Sequence, residues 1–211
     1  MDDSYVTFPD PDKEYPHGGL LAYGGDLNPS TLWAAYSQGI FPWYNPGEDI
    51  LWWCPDPRFV LFPEKLKISK SMKKIMVRNV FQFTENKAFR EVLEHCMHMP
   101  REGQEGTWMS VELIDSLEVL HRTGKALSYE VWQDGRLVGG LYGILVGKVF
   151  CGESMFSLEP NASKAGLISF VERHKEDIKV IDCQVHSTHL ESMGAEMIPK
   201  KEFLSIITAR T

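Results

Sequence analysis

Few cysteines, no long apolar run, little base at the start and hardly any cation in the first sixty residues mark this sequence. The four cysteines, Cys54, Cys96, Cys151 and Cys183, stand far apart with no paired spacing. A disulfide framework is therefore not expected, and reduced, mostly buried thiols are the better reading. The longest uncharged apolar stretch, Leu137 to Gly147, is bounded by Arg136 and Lys148 and is too short to cross a bilayer. Met1-Asp2-Asp3 puts acid where a secretory signal needs base, so a cytoplasmic protein with no membrane partner is expected. Internal repeats and low-complexity tracts are missing too.

What remains is a chain of 211 residues, 43% hydrophobic and 24% charged, with a net charge of −7. Such a composition belongs to a globular protein of one ordinary domain, or of one domain with a small appendage. The net acidity argues against non-specific nucleic-acid binding over the whole surface. Its distribution is uneven. Residues 1–60 hold nine acids against Lys13 and Arg58, whereas residues 65–84 carry Lys65, Lys67, Lys70, Lys73, Lys74 and Arg78 with no acid at all. Such a run is either a solvated helix face or a surface for phosphates, and charge alone leaves both open.

Turn residues punctuate the first part: Gly18-Gly19, Gly24-Gly25, Pro29, Pro42, Pro46-Gly47, Pro55 and Pro57. Residues 1–57 therefore read as a small N-terminal domain, with one helix from Thr31 to Gln38, Ser30 as its N-cap and Gly39 just past its end. Residues 58–211 form the larger unit. Helices are expected from Ser69 to Arg78, from Asn86 to Met97 and from Ser110, the last with Val111, Ile114, Leu117 and Leu120 at helical spacing and Gly124 as its stop. The period then changes. Leu127, Tyr129 and Val131 alternate with Ser128, Glu130 and Trp132, and Asp134-Gly135 signals a two-residue hairpin. Strands follow at Arg136 to Val146 and Val149 to Ser157. A helix from Asn161 to His174, a buried strand from Ile178 to Gln184 and a short helix ending at Gly194 complete the pattern. The fold class is α+β, a mostly antiparallel sheet flanked by helices.

Two motifs look like chemistry and are not. Gly143 to Val149 imitates a phosphate loop, but it is one residue short between its glycines, lacks the magnesium-binding hydroxyl and lies between strands, so it reads as a hairpin turn. Cys183, His186 and His189, and the cluster His95 to Met99, fit neither common zinc spacing, so no metal is expected. A thiol within an apolar strand is inert more often than nucleophilic. Glu153 and Asp182-Cys183-Gln184 carry more weight, because they place polar groups into strands that otherwise read as core. That burial costs several kcal/mol (~2–7) unless the groups are satisfied or used. A satisfied structural pair and a functional site remain equal readings of the residues alone.

Gly18-Gly-Leu-Leu-Ala, Gly24-Gly-Asp-Leu, Gly39-Ile-Phe-Pro-Trp43 and Leu51-Trp-Trp-Cys-Pro-Asp-Pro-Arg58 resemble the bacterial leucyl/phenylalanyl-tRNA–protein transferases. So do Gly106-Thr-Trp108, Leu137-Val-Gly-Gly-Leu-Tyr-Gly143, Gly152-Glu-Ser-Met-Phe-Ser157, Asn161-Ala-Ser-Lys164 and Ile181-Asp-Cys-Gln184. The resemblance runs in order from Gly18 to Phe203. It implies a small N-terminal domain followed by one like the GCN5-related acyltransferases. The implied activity is transfer of Leu or Phe from a charged tRNA to proteins whose N-terminus is Arg or Lys, creating a degradation signal. No cofactor or metal is implied, and a monomer is expected. Trp43 and Trp108 match the tryptophans that hold the terminal adenosine of the tRNA. Leu141, Glu153, Met155, Leu167 and Phe170 match the pocket for the transferred side chain, and Asp182 and Gln184 the proposed catalytic pair. His174 departs from the pattern, standing where some relatives have an aromatic pocket residue.

That chemistry suits the residues. An aminoacyl ester is already activated, and an α-amine of pKa about 8 is easily deprotonated, so holding the two together supplies much of the rate. Stacking on Trp43 and Trp108 contributes ~1–3 kcal/mol per base, and the run from Lys65 to Arg78 gains a phosphate backbone to contact. Gln184 is expected to position the amine and Asp182 to accept its proton, with a purely positional pair as the rival. Two other functions fit parts of the chain. One is a coenzyme-A-dependent N-acetyltransferase, which lacks its pyrophosphate loop here. The other is a non-catalytic tRNA-binding module, which leaves Asp182 and Gln184 unexplained.

Overall fold

Alternation in the middle of the chain becomes the centre of a seven-stranded sheet. The computed structural model describes residues 7–45, 47–99 and 109–209. Its large sheet contains β4 (Arg58–Leu61), β5 (Gln82–Glu85), β6 (Ala126–Gln133), β7 (Arg136–Val146), β8 (Val149–Ser157), β9 (Val180–Gln184) and β10 (Glu196–Ile198), in the order β10-β4-β9-β8-β7-β6-β5. Every neighbouring pair is antiparallel except β8 and β9. Asp134 and Gly135 both have positive φ, the geometry of the expected tight hairpin between β6 and β7. Residues 143–149, the imitation phosphate loop, are the end of β7, the two-residue turn Gly147-Lys148 and the first residue of β8.

A second, three-stranded sheet in the order β1-β3-β2 joins β1 (Leu20–Tyr23), β2 (Phe41–Pro42) and β3 (Leu51–Trp53), with the turn α1 (Pro16–Gly19) before it. Within this unit α2 (Pro29–Tyr36) starts two residues earlier than Ser30 capping would allow. Asn28 is the N-cap and Pro29 occupies the first helical position, where a missing N–H costs nothing. The Asp26 carboxylate takes the Asn28 N–H and the Thr31 hydroxyl, fixing the entry to the helix.

Helices cover both faces of the large sheet. On one side lie α4 (Phe89–His98) and α5 (Val111–Arg122), whose apolar stripes merge with the small sheet and with α8 (Lys200–Ile207) into one core. On the other lie α6 (Ala162–His174), α3 (Lys70–Val77) and the single-turn α7 (Thr188–Ser192), packed with Leu127, Tyr129, Val131, Phe150 and Ile181. A Cβ at Gly139 would stand 2.8 Å from that of Ala162, so α6 can approach the sheet only over glycine. Ser69 and Ser110 cap α3 and α5 through their hydroxyls, as their positions in the sequence predict.

Where boundaries move, burial explains it. α4 begins at Phe89 rather than Asn86, because residues 86–88 turn around a buried carboxylate. Glu130, fully enclosed on β6, accepts the hydroxyls of Thr84 and Ser128 (both 2.5 Å) and the N–H groups of Lys87 (3.2 Å) and Ala88 (3.4 Å). The expected outward face of β6 is thus also interior, with its polar groups paired among themselves. The last central strand begins at Val180, two residues after Ile178. β4, β5 and β10, none of them expected from the pattern, extend the sheet at its two ends.

Candidate active site

The parallel neighbours β8 and β9 pair only from Val149/Val180 to Cys151/Asp182. Beyond that point β8 stays with β7 and β9 with β4, so the sheet opens into a wedge. Two bulges lie at this fork. The β7–β8 register slips between Tyr142/Ser154 and Gly143/Gly152, leaving Glu153 as the extra residue. The β4–β9 register slips between Phe59/Gln184 and Val60/Asp182, leaving Cys183 as the extra one. Bulges re-aim side chains, and these two turn Glu153 and Gln184 toward each other. The bulge on β8 needs glycine opposite it, since a Cβ at Gly143 would lie 2.2 Å from the Cys151 carbonyl oxygen.

The wedge is a cavity of about 420 Å³. Leu141, Met155, Leu167, Phe150 and Ile181 form its apolar wall, Glu153, Asp182 and Gln184 its polar one, and Trp43 and Pro42 from the small sheet its edge. Trp43 is 43% exposed, an indole left open to solvent. Trp53 holds it, packing ring to ring at 6.0 Å and donating its indole N–H to the Trp43 carbonyl (2.7 Å).

Asp182 is locked from below. Arg58 donates from Nε (2.7 Å) and Nη2 (2.6 Å) to its two carboxylate oxygens, and both side chains are 1% exposed. The guanidinium is sandwiched between the rings of Phe41 (4.6 Å) and Phe203 (4.5 Å). Asp182 Oδ1 also accepts the backbone N–H of Gln184 (2.9 Å). That bond steadies Gln184 in a left-handed conformation, φ 64°, which a residue with a side chain holds only when its surroundings impose it. The Gln184 amide donates to Glu153 Oε1 at 2.6 Å. The hydroxyl of Tyr36, buried on α2, bonds the same carboxylate. Burial pushes the Glu153 carboxyl up to about 7, against the lowering effect of the Tyr36 and Gln184 bonds. Burial raises the Cys151 and Cys183 thiols, so neither is a nucleophile at neutral pH.

Most residues picked out from the sequence meet here: Trp43, Leu141, Glu153, Met155, Leu167, Asp182 and Gln184 all line the cavity. Phe170 does not. It is wholly buried one layer behind, 4.6 Å from Phe150, because the α6 turn that carries it faces the sheet rather than the wedge. His174 is likewise remote from the cavity floor; it bonds Glu85 (2.8 Å) on β5. Trp108 lies outside the described residues. Lys65, Lys67, Lys70, Lys73, Lys74 and Arg78 are all exposed, with Lys65 paired to Glu196. Among the described residues no three His, Cys, Asp or Glu side chains group to hold a metal.

Sequence reasoning missed Tyr36 and Arg58 as parts of the site. An arginine opening the apolar run Arg58-Phe-Val-Leu61 is the signal for Arg58, since a charge there needs a buried partner. Tyr36 gives no signal, because its partner is 117 residues along the chain, on a strand of the other sheet.

Comparison with known proteins places the chain among relatives. The profile described as leucyl/phenylalanyl-tRNA protein transferase matches residues 60–208, and that of the transferase's N-terminal domain matches residues 25–56. A leucyl/phenylalanyl-tRNA–protein transferase of Flavobacterium johnsoniae is 54% identical over 97% of each chain. One from Christiangramia forsetii is 51% identical over 96% of this chain and all of the other. Among solved structures, L-PGS from Bacillus licheniformis overlaps 74% of this chain and 50% of its own, with a TM-score of 0.43 and 12% identity. A GCN5-related N-acetyltransferase from Kribbella flavida overlaps 82% and 61%, with a TM-score of 0.40 and 10% identity. With both of its parts matched and half its residues identical to full-length relatives, this chain belongs to the leucyl/phenylalanyl-tRNA–protein transferase family.

Proposed function

We propose that this protein transfers a leucyl or phenylalanyl group from the 3′ end of a charged tRNA to the N-terminal amine of an acceptor protein beginning with Arg or Lys, making a peptide bond and a degradation signal. The observation that carries this reading is the joining, in one cavity, of an apolar wall, an exposed indole and a braced polar wall. Leu141, Met155 and Leu167 offer a slot for an unbranched-at-β side chain, with only ~1–3 kcal/mol per methylene to separate close competitors. Trp43, held by Trp53, offers a stacking platform for a terminal base. The exposed cations from Lys65 to Arg78 supply a surface for phosphates of the acceptor stem, independent of sequence.

Asp182 and Gln184 act as a positioning pair. Arg58 fixes Asp182, Asp182 fixes the Gln184 backbone, and Gln184 presents its amide to the substrates. Holding an activated ester against an amine supplies a large part of the rate enhancement on its own. The reading divides the chain at residues 57 and 58, into an N-terminal domain that supplies Trp43 and an acyltransferase-like catalytic domain. It sets the reaction in the cytoplasm, where charged tRNA is available, and in a monomer. Coenzyme-A chemistry is disfavoured: Arg136-Leu-Val-Gly139-Gly140 lies wholly inside β7 and opens no helix.

Incubating the protein with leucyl-tRNA or phenylalanyl-tRNA and a peptide starting with Arg, beside an arm with acetyl-CoA, tests the reading. A peptide one Leu or Phe heavier is the expected product, and Trp43→Ala is expected to weaken donor binding by about tenfold. Acetylation, or tRNA binding with no product, overturns it.

A further inference from the structure

Two carboxylates line the cavity, and they differ in what is left of their hydrogen-bonding capacity. Both oxygens of Asp182 receive Arg58, one of them receives the Gln184 N–H as well, and the side chain is 1% exposed. Three donors nearly fill the roughly four acceptor sites of its carboxylate, and although it lines the cavity its side chain offers a substrate almost no exposed surface. Glu153 receives the Tyr36 hydroxyl and the Gln184 amide and is only half-buried. A carboxylate has about four acceptor sites, so two donors leave it room for a third. The β8 bulge turns this unsaturated carboxylate into the wedge, beside the amide that faces the substrates.

We propose that Glu153, rather than Asp182, is the catalytic residue that takes the proton from the attacking α-amine, with Gln184 and Tyr36 aiming its carboxylate. This rests on the aminoacyl-transfer reading above. The neutral amine attacks the ester carbonyl carbon, and the new carbon–nitrogen bond leaves nitrogen with one proton too many. That proton passes to the Glu153 carboxylate. The bond from the carbonyl carbon to the ribose oxygen breaks, and the oxygen leaves as a hydroxyl after taking the proton back from the Glu153 carboxylic acid. No charge, proton or electron is left over, and the carboxylate is regenerated.

The surroundings favour this division of labour. A base works best when matched to the operating pH, which the upward push of burial on Glu153 achieves. The other groups near it are Tyr36 on α2, Tyr142 on β7, Cys151 on β8, Asp182 and Cys183 on β9, and Arg58 on β4. Tyr36 and the two thiols are pushed upward and stay neutral near pH 7, while Arg58 and Asp182 balance each other as a pair. On the rim, His186 bonds Glu191 (3.2 Å), and His189 is lowered by burial and by Lys164.

The test is single-turnover transfer from leucyl-tRNA to an Arg-started peptide, at saturating concentrations of both, across about pH 5.5 to 8.5. The wild-type rate is expected to rise with pH through an inflection near 7. Glu153→Gln is expected to lose at least ~100-fold and the inflection with it. Glu153→Asp, which keeps the carboxylate but shortens its reach, should retain the inflection at an intermediate rate. A non-hydrolysable puromycin-type analogue should bind Glu153→Gln as it binds the wild type, showing an intact site. A tRNA carrying the α-hydroxy analogue of leucine separates the nearest alternative, in which Glu153 pairs with the donor's own ammonium. If the Glu153→Gln defect disappears with that donor, the proposal is overturned; a base gives the same defect with both. It is overturned equally if Glu153→Gln keeps its rate and inflection while His189→Gln loses them. Failure of the wild type to transfer at all strikes the functional reading instead.

Discussion

Glu130 and Glu153 are both carboxylates drawn into the large sheet, on strands separated only by β7, and they have opposite fates. Glu130 collects four donors from β5, β6 and the two residues just before α4 and is sealed from solvent. Glu153 collects two and borders a cavity. The contrast separates two uses of a buried acid. A saturated one spends its hydrogen-bonding capacity on the fold, here by holding residues 86–88 so that α4 starts in the right place. An unsaturated one keeps part of that capacity for a substrate. Donor count and access, more than burial, distinguish them.

Asp182 belongs with Glu130 by that criterion, and the largest expected effect tests the assignment. Arg58→Ala leaves Asp182 buried and unpaired, and breaking such a pair costs ~3–5 kcal/mol. The urea midpoint should fall accordingly, and transfer should fail through loss of folded protein and of the Gln184 anchor. A near-wild-type midpoint would show that Asp182 is not committed to the fold. Next in size, Glu130→Gln replaces an acceptor of four donors with a group that must also donate, an expected loss of ~1–3 kcal/mol. Transfer per folded molecule should stay as in the wild type. A reduced rate without lost stability would erase the distinction between the two glutamates.

How far these roles were legible in the sequence follows the same line. Local patterns were: the Asp134-Gly135 hairpin, the Ser110 cap of α5, the stripe of α6 and the three central strands all follow from neighbours within a few positions. The family motifs brought Trp43, Leu141, Met155, Leu167, Glu153, Asp182 and Gln184 together without any geometry. What stayed hidden depends on contacts far apart in sequence. β4 and β10 are only four and three residues long and are strands because β4 lies against the distant β9 and β10 in turn against β4. Phe170 sits on the correct helix, yet one layer of packing separates it from the cavity. Ser128-Tyr129-Glu130 and Glu153-Ser154-Met155 look alike as polar intrusions into apolar strands; only the two register bulges and Tyr36 make them different.

Solution pH sharpens the comparison further. Because burial holds the Glu153 carboxyl above its ordinary range, the folded protein binds a proton that the unfolded chain has released. Stability therefore falls as pH rises from the usual carboxylate range through about 7, by at most ~1.4 kcal/mol per pH unit and less where water reaches the group. Denaturant midpoints measured across that window should slope in the wild type and flatten in Glu153→Gln. A slope that survives there belongs to another group.

The smallest effect is the most discriminating, because it removes one donor from each glutamate in turn. Tyr36→Phe takes a hydrogen bond that favours the charged form of Glu153 and leaves the burial that opposes it. The inflection in transfer rate should move to higher pH, with a stability loss of ~1 kcal/mol or less. Thr84→Val takes one of the two hydroxyl donors of Glu130, at 2.5 Å, together with the acceptor of the Trp132 indole N–H (2.7 Å). Here stability should drop by a similar or larger amount while the pH profile of transfer stays where it was. A moved inflection in Thr84→Val would mean that the two carboxylates communicate across the sheet. An unmoved one in Tyr36→Phe would mean that the ionisation seen in the rate is not that of Glu153.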